Sequence, residues 1–258
     1  MSKQIPDTFD LTGKVALVTG SSRGIGEAIA RKLAEHGAHV IVSSRKAEPC
    51  EAVAASIRAA GGQASVLACH VGEVDQIEAT FAAIEQQFGR LDILVNNAAA
   101  NPYFGHITET DLGAFQKTVD VNIRGYFFMC AKGAKLMARN GGGSIINIAS
   151  VNGVIPGMWQ GIYSITKASV ISMTHAFAKE CASMKVRVNA ILPGATDTKF
   201  ASALTTNAEI LKVVMAHTPM NRVADPSEMA GAALYLASAA SSYTTGACLN
   251  VDGGYLLG

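Results

Sequence analysis

Lys14-Val15-Ala16-Leu17-Val18-Thr19-Gly20-Ser21-Ser22-Arg23-Gly24-Ile25-Gly26 runs from a β-branched, almost wholly apolar stretch into a glycine-rich turn and then a helical pattern. A short apolar run bounded by a turn is what a strand buried on both faces requires. The spaced glycines permit tight turning and let backbone approach a pyrophosphate, and the following helix presents its positive end there. The helical pattern continues through Ala28, Ile29 and Leu33 until Gly37 stops it. Strand, glycine turn and helix in that order predict a dinucleotide site at the first βα junction of an α/β fold.

Outward from this unit the alternation continues. His39–Ser43 predicts a second strand, followed by a helix over about 49–60 and a strand near 64–69. A helix over 74–88 precedes a strand at 91–95. A long helix is predicted over about 111–139, a strand over 144–149, a second long helix over about 161–183 and a strand over 186–192. Residues 197–222 read as a helical insertion without a clear strand. Pro226 opens a helix to about Ala237, with Asp225 as its N-cap, and Cys248–Val251 is the last strand. Seven strands alternating with helices imply a Rossmann fold: one doubly wound parallel sheet with helices on both faces. With no linker, repeat or low-complexity tract, residues 1–258 read as a single domain for dinucleotide binding and catalysis.

Composition narrows the class. Apolar residues make up 49% and charged residues 16%, enough for a large core. A net charge of +1 supplies no basic field for nucleic acid or an anionic membrane, so neither is an expected partner. The five cysteines are scattered without a CxxC pair, and the six histidines do not cluster, so no metal site or disulfide framework is predicted. The polar start lacks an apolar signal core, no apolar run approaches a bilayer span, and the end is not a peroxisomal address. A cytoplasmic location is expected.

The turn does not have the GxGxxG spacing. Thr19-Gly20-(three residues)-Gly24-Ile25-Gly26 resembles the TGxxxGxG form of the short-chain dehydrogenase/reductases, and further motifs of that family recur in order along nearly the whole chain. The resemblance implies a cofactor site formed by Gly20, Ser22, Arg23, Gly24, Ile25 and Gly26. At the end of the second strand, where an NAD enzyme places a carboxylate, the sequence reads Ser43-Ser44-Arg45-Lys46. A carboxylate would repel a 2′-phosphate, whereas Arg45 can pair with it, and Arg23 would lie close by. NADP(H) is therefore the expected cofactor, with NAD(H) a weaker alternative. Ser44, His70, Val71, Asn97, Ala98 and Ala99 complete the implied adenosine side. His70 replaces the family's aspartate and Ala99 its glycine. With Asn101-Pro102, these departures resemble a branch of NADP-dependent carbonyl reductases that includes peroxisomal retinal reductases.

Tyr163 and Lys167, four residues apart, share a helix face. A free phenol, with a pKa of about 10, is too weak an acid for efficient proton exchange near neutrality, and a neighbouring ammonium favours the tyrosinate. On its own this spacing is also what ordinary amphipathic packing gives. Ser150 ends the strand 144–149 thirteen residues before Tyr163, an offset the family shares, and Asn122 matches the family's fourth catalytic position. The resemblance implies hydride transfer between nicotinamide C4 and a carbonyl carbon. In that scheme Tyr163 transfers the proton, Ser150 positions the oxygen, Lys167 tunes Tyr163 and binds the ribose, and Asn122 holds a water leading from Lys167 to solvent. Pro193, Gly194, Thr196 and Thr198 match the family's segment at the nicotinamide carboxamide.

The substrate is expected to be a small carbonyl or alcohol, with ketone or aldehyde reduction the favoured direction. Residues 151–160 should line the pocket, and the 197–222 insertion should cover it with Phe200, Leu204, Leu211 and Met215, leaving Arg222 as the one candidate anion receptor. One alternative is reduction of a 3-oxoacyl thioester on acyl carrier protein, using Lys132, Lys135, Arg139 and Lys179. Another, of a different class, is an NADP(H)-binding sensor or scaffold without turnover. The long helices suggest a homo-oligomer, tetramer or dimer, as is common in the family.

Overall fold

A computed structural model describes residues 7–201 and 208–257. The chain alternates strand and helix as β1 (Val15–Thr19), α1 (Gly24–Glu35), β2 (His39–Ser43), α2 (Ala47–Ala59), β3 (Gln63–Val66), α3 (Val74–Phe88) and β4 (Ile93–Asn96). The second half holds α4 (Leu112–Val119), α5 (Tyr126–Arg139), β5 (Gly143–Ile148), α6 (Gly161–Cys181), β6 (Val186–Pro193), α7 (Ala208–Ala216), α8 (Glu228–Ala237) and β7 (Cys248–Val251). The seven strands form one parallel sheet in the order β3-β2-β1-β4-β5-β6-β7. This is the doubly wound Rossmann arrangement expected from the alternation, and it puts every strand's carboxyl end on one edge.

The strand period of two sorts the core onto both faces. Ala16, Val18, Val40, Val42, Ile146 and Ile148 pack on one side with residues of α1, α2 and α8. Val15, Leu17, Ile41, Leu94, Ile145 and Val188 pack on the other with α3, α5 and α6. Element ends follow local chemistry. Gly37 (φ +94°) turns the chain out of α1 into β2. Gly89 (φ +66°) caps α3 in the left-handed conformation, and Asp111 accepts from the Ala114 amide at 2.8 Å to start α4. Ahead of α8, the Asp225 carboxylate accepts from the Ser227 amide at 2.8 Å while Glu228 accepts from the Asp225 amide at 2.8 Å. This is a reciprocal cap around Pro226.

Three expectations are modified. The predicted helix over 111–139 is two α-helices joined by one π-helical turn, Asp120–Gly125. The strand near 64–69 ends at Val66, and α2 begins at Ala47, since Pro49 is tolerated within a first turn that needs no amide. In the 197–222 insertion, a short 3-10 turn at Lys199–Ala201 and α7 are helical. Leu204 lies outside the described residues. Among the described residues, no helix is long and apolar enough to cross a membrane.

Candidate active site

The glycine turn is held at the carboxyl edge by Ser21. Its hydroxyl donates to the Val18 carbonyl at 2.7 Å and accepts from the Ser43 amide at 2.9 Å, and the Ser21 amide donates to the Ser43 carbonyl at 3.1 Å. This lacing sets Ser22-Arg23 beside Ser44-Arg45. Neither guanidinium has an ion pair or a hydrogen bond among the described residues, and both side chains are exposed. Ile25 packs against the core below the turn.

The neighbouring strand end is stapled on by Asn97. Its amide donates to the Thr19 hydroxyl at 3.0 Å, and its side chain donates to the Thr19 and Gly20 carbonyls at 2.9 and 3.1 Å. The Ala98 amide donates to the same hydroxyl at 3.1 Å. Side chains at the glycines would break this cradle. A Cβ on Gly20 (φ +64°) would sit 2.8 Å from Ala98 Cα, and one on Gly26 would sit 2.5 Å from the Gly20 carbonyl oxygen. A Cβ on Gly24 would meet Thr198 at 3.2 Å, so the segment after β6 crosses the front of the turn. Within that segment the Thr196 hydroxyl donates to the Gly194 carbonyl at 3.0 Å, and the Gly194 amide donates to Val251 at 3.1 Å, joining Pro193-Gly194 to β7. The residues fit a dinucleotide: a glycine cradle at a helix N-terminus, with two unpaired arginines and no acid at the β2 end.

His70 and Val71 follow β3. The His70 Nδ1 accepts from the Gly72 amide at 3.1 Å, so in the neutral ring Nε2 carries the hydrogen and is a donor. Ala99 is half-buried between Ala98 and Ala100.

On the other side of β4, the four catalytic candidates converge. Asn122 sits in the π turn, fully buried. Its Oδ1 accepts from the Ala100 amide at 2.8 Å, and its Nδ2 donates to the Ala100 carbonyl at 2.9 Å and to Thr166 Oγ1 at 3.0 Å. It thus clamps the chain after β4 to the helix carrying Tyr163. Such single-turn π insertions concentrate at functional sites. Ser150 follows β5, and its hydroxyl accepts from the Asn152 amide at 3.1 Å. The turn after it lies so close to α6 that a Cβ on Gly153 would meet the Lys167 carbonyl at 2.8 Å. Lys167 is 1% exposed. Its Nζ donates to the Ile148 carbonyl at 2.7 Å and lies 5.6 Å from the centre of the Tyr163 ring.

Burial governs the electrostatics here. It pushes Lys167 down to about 7, while the Tyr163 phenol is pushed well above its ordinary value, opposed by a hydrogen bond from Ser150. In the protein alone, desolvation of the enclosed phenol sets the direction of the Tyr163 shift, upward rather than toward the lower value expected beside Lys167.

Phe200, from the insertion, stacks obliquely on Tyr163 with centroids 5.8 Å apart, and Trp159, in the left-handed conformation (φ 60°), meets Phe104 edge-on at 6.0 Å. Arg222 is engaged by Glu228 through two bonds of 2.7 Å, so the candidate anion receptor is neutralised. The sequence reading did not single out Thr19, whose hydroxyl joins two strands, or Tyr126 beside Lys167. The Thr of the TG pair was a usable signal for the first.

A family model described as Enoyl-(Acyl carrier protein) reductase matches residues 20–256. Dehydrogenase/reductase SDR family member 4 of Oryctolagus cuniculus is 36% identical over 244 residues, covering 95% of this chain and 94% of the relative. The chain belongs to the short-chain dehydrogenase/reductase family. Within the family it is also 39% identical to the 3-oxoacyl-[acyl-carrier-protein] reductase of a Synechocystis strain, over 96% of this chain and 98% of that protein. Among solved short-chain dehydrogenase/reductase structures, a gluconate 5-dehydrogenase from Burkholderia cenocepacia in complex with NADP and tartrate superposes with a TM-score of 0.94. That pair shares 34% identity, with 98% of each chain covered. This protein is accordingly an oxidoreductase of that family.

Proposed function

We propose that the chain is an NADP(H)-dependent carbonyl reductase acting on neutral, mainly apolar ketones or aldehydes. The observation that carries the reaction class is the enclosed cluster of Ser150, Tyr163 and Lys167, with Asn122 clamping the same helix. The bound nicotinamide would supply or accept the hydride. Ser150 would donate to the substrate oxygen, and Tyr163 would give its proton to that oxygen as charge develops, acting as general acid. Lys167 would bind the ribose hydroxyls and, while charged, favour the tyrosinate left behind. Asn122 would keep the path from Lys167 to solvent in place. Gly20, Ser22, Gly24, Ile25 and Gly26 would cradle the pyrophosphate, and Pro193, Gly194, Thr196 and Thr198 would hold the carboxamide. Ser44, His70, Val71, Asn97, Ala98 and Ala99 would line the adenosine side. Arg23 and Arg45, with no competing partner, support a 2′-phosphate and hence NADP(H) over NAD(H).

Substrate preference follows from Phe200, Trp159 and Phe104, together with the loss of Arg222 to Glu228. Those features favour a neutral apolar carbonyl over a sugar acid. A screen of neutral aromatic ketones, aldehydes and carboxylated ketones, run with NADPH and NADH, tests this. Better turnover of the carboxylated set would overturn the substrate assignment, and tight NADPH binding without turnover would make the chain a sensor.

The Synechocystis relative favours a second reading, reduction of a carrier-linked 3-oxoacyl group. Two of its four candidate docking cations are engaged, Lys132 with Glu78 at 2.7 Å and Arg139 with Glu85. Comparing turnover of carrier-linked and free 3-oxo substrates separates the two. We further propose a single cytoplasmic domain over residues 1–258, with the 197–222 insertion as substrate cover, working as a dimer or tetramer.

A further inference from the structure

Lys167 presents an unusual electrostatic problem. Its ammonium is enclosed, yet no carboxylate pairs with it among the described residues. An enclosed cation without an anion needs other compensation. One source is the Ile148 carbonyl at 2.7 Å. A second is Tyr126, the first residue of α5. It is 1% exposed, its ring centre lies 5.3 Å from Nζ, and its hydroxyl donates to the same Ile148 carbonyl at 3.2 Å.

The placement of Tyr126 is closely determined. It follows the π turn, whose last residue, Gly125, lies so near the chain after β3 that a Cβ there would come within 2.4 Å of the Val71 carbonyl oxygen. The π turn therefore delivers two residues to the site: Asn122, toward Ala100 and Thr166, and Tyr126, toward Ile148 and Lys167. Between the rings of Tyr126 and Tyr163, at 5.3 and 5.6 Å, the ammonium faces two electron-rich surfaces.

We infer that Tyr126 is a positioning residue for Lys167, its ring face holding the buried ammonium beside Tyr163 and its hydroxyl fixing that ring to the Ile148 carbonyl. The inference rests on the proposed role of Lys167. The groups facing Nζ are few. Those shown against it are Tyr163 on its own helix, Tyr126 from α5 and the Ile148 carbonyl from β5; Cys130, one turn beyond Tyr126, is bonded to Asn96 and Asn147, and the neutral Asn122 of the π turn is bonded to Ala100 and Thr166. Asp120 and Arg124 of that turn pair with each other at 2.9 Å. Burial keeps the Tyr126 phenol and the Cys130 thiol far above their ordinary values, so neither brings a negative charge near neutrality. That leaves ring faces and the carbonyl to support the cation.

The test compares three full-length proteins: wild type, Tyr126→Phe, and a variant with 3,4,5-trifluorophenylalanine at position 126. The fluorines nearly preserve shape while draining the ring face of negative potential. Lysine labelled with 13C at Cε gives the titration of Lys167 without cofactor, its signal identified by its loss in Lys167→Met. Tyr126→Phe should titrate within about 0.3 pH units of wild type, and the fluorinated variant lower by about half a unit to one unit, since a desolvated cation–π contact is of that size. The high-pH limb of kcat/KM for carbonyl reduction should move down by the same amount. Identical Lys167 titrations in the Phe and trifluorophenylalanine proteins would overturn the inference, whatever happens to kcat. A Lys167→Met protein with wild-type turnover would instead strike the underlying reading of the site, and the NMR comparison would still decide the role of Tyr126.

Discussion

Burial brings Lys167 down to about 7 from the 10.5 of a lysine in water, so between those values the unfolded chain binds a proton that the folded chain does not. Stability therefore rises with pH across that window, and below it the full burden on folding is present. Lys167→Met is expected to raise the melting temperature by several degrees near pH 6, with the gain shrinking as the pH climbs toward about 10, while turnover disappears; scanning calorimetry at a series of pH values checks it. The carbonyl it leaves is not orphaned, because Tyr126 also donates to Ile148. Tyr163→Phe separates binding from chemistry. NADPH affinity by calorimetry should stay within about twofold, and kcat/KM should fall by about 10²–10⁴, the range general acid catalysis contributes. At this scale the catalytic candidates were legible because proton chemistry tolerates few residue types at few spacings. The dominance of burial over the Lys167 charge was not, since enclosure depends on neighbours such as Tyr126, which reads as an ordinary helix residue.

The lacing of β1 to β2 by Ser21 joins the two strand ends into a single unit, the one proposed to face the cofactor's phosphates. Arg45→Asp should cut the ratio of NADPH to NADH affinity by about tenfold or more, a carboxylate repelling the 2′-phosphate where a guanidinium had paired with it. Equilibrium titration with both cofactors measures this, and an unchanged ratio would remove Arg45 from the site. The π turn offers a second element-scale test. Asn122→Ala leaves the Ala100 backbone and Thr166 without their partner, and should lower unfolding free energy by about 1–3 kcal/mol in urea titrations, as well as slowing turnover. Strand and helix placement read well from sequence, with β2, α3 and β7 expected at their observed limits. The π turn did not: one extra residue shifts the apolar stripe by about 100°, but the stretch Val119, Val121, Ile123, Tyr126 to Met129 is apolar so densely that the shift leaves no visible break. Val121, Gly125 and Tyr126 still fall on a plausible buried face.

Across the molecule, the sheet order follows from a few rules of chain crossing, which is why the fold was the most legible feature. The candidate site was legible where it is made of strand ends, all on one edge of a parallel sheet, and hidden where it depends on contacts between distant segments, such as Tyr126 against Lys167. Leu112, Phe115 and Phe127 expose apolar surface on α4 and α5. Exposed apolar side chains there would suit the association proposed above, so sedimentation is expected to show two or four chains, and a strictly monomeric species would count against it. Trp159 adds an optical property to the whole chain. It is the only tryptophan among 258 residues, and it stands four positions before Tyr163. Its emission overlaps the absorption band of a reduced nicotinamide but not of an oxidised one. The protein thus carries a single energy-transfer donor four residues from the candidate catalytic tyrosine, and the redox state of a nicotinamide bound near it should be readable as quenching, with no label attached.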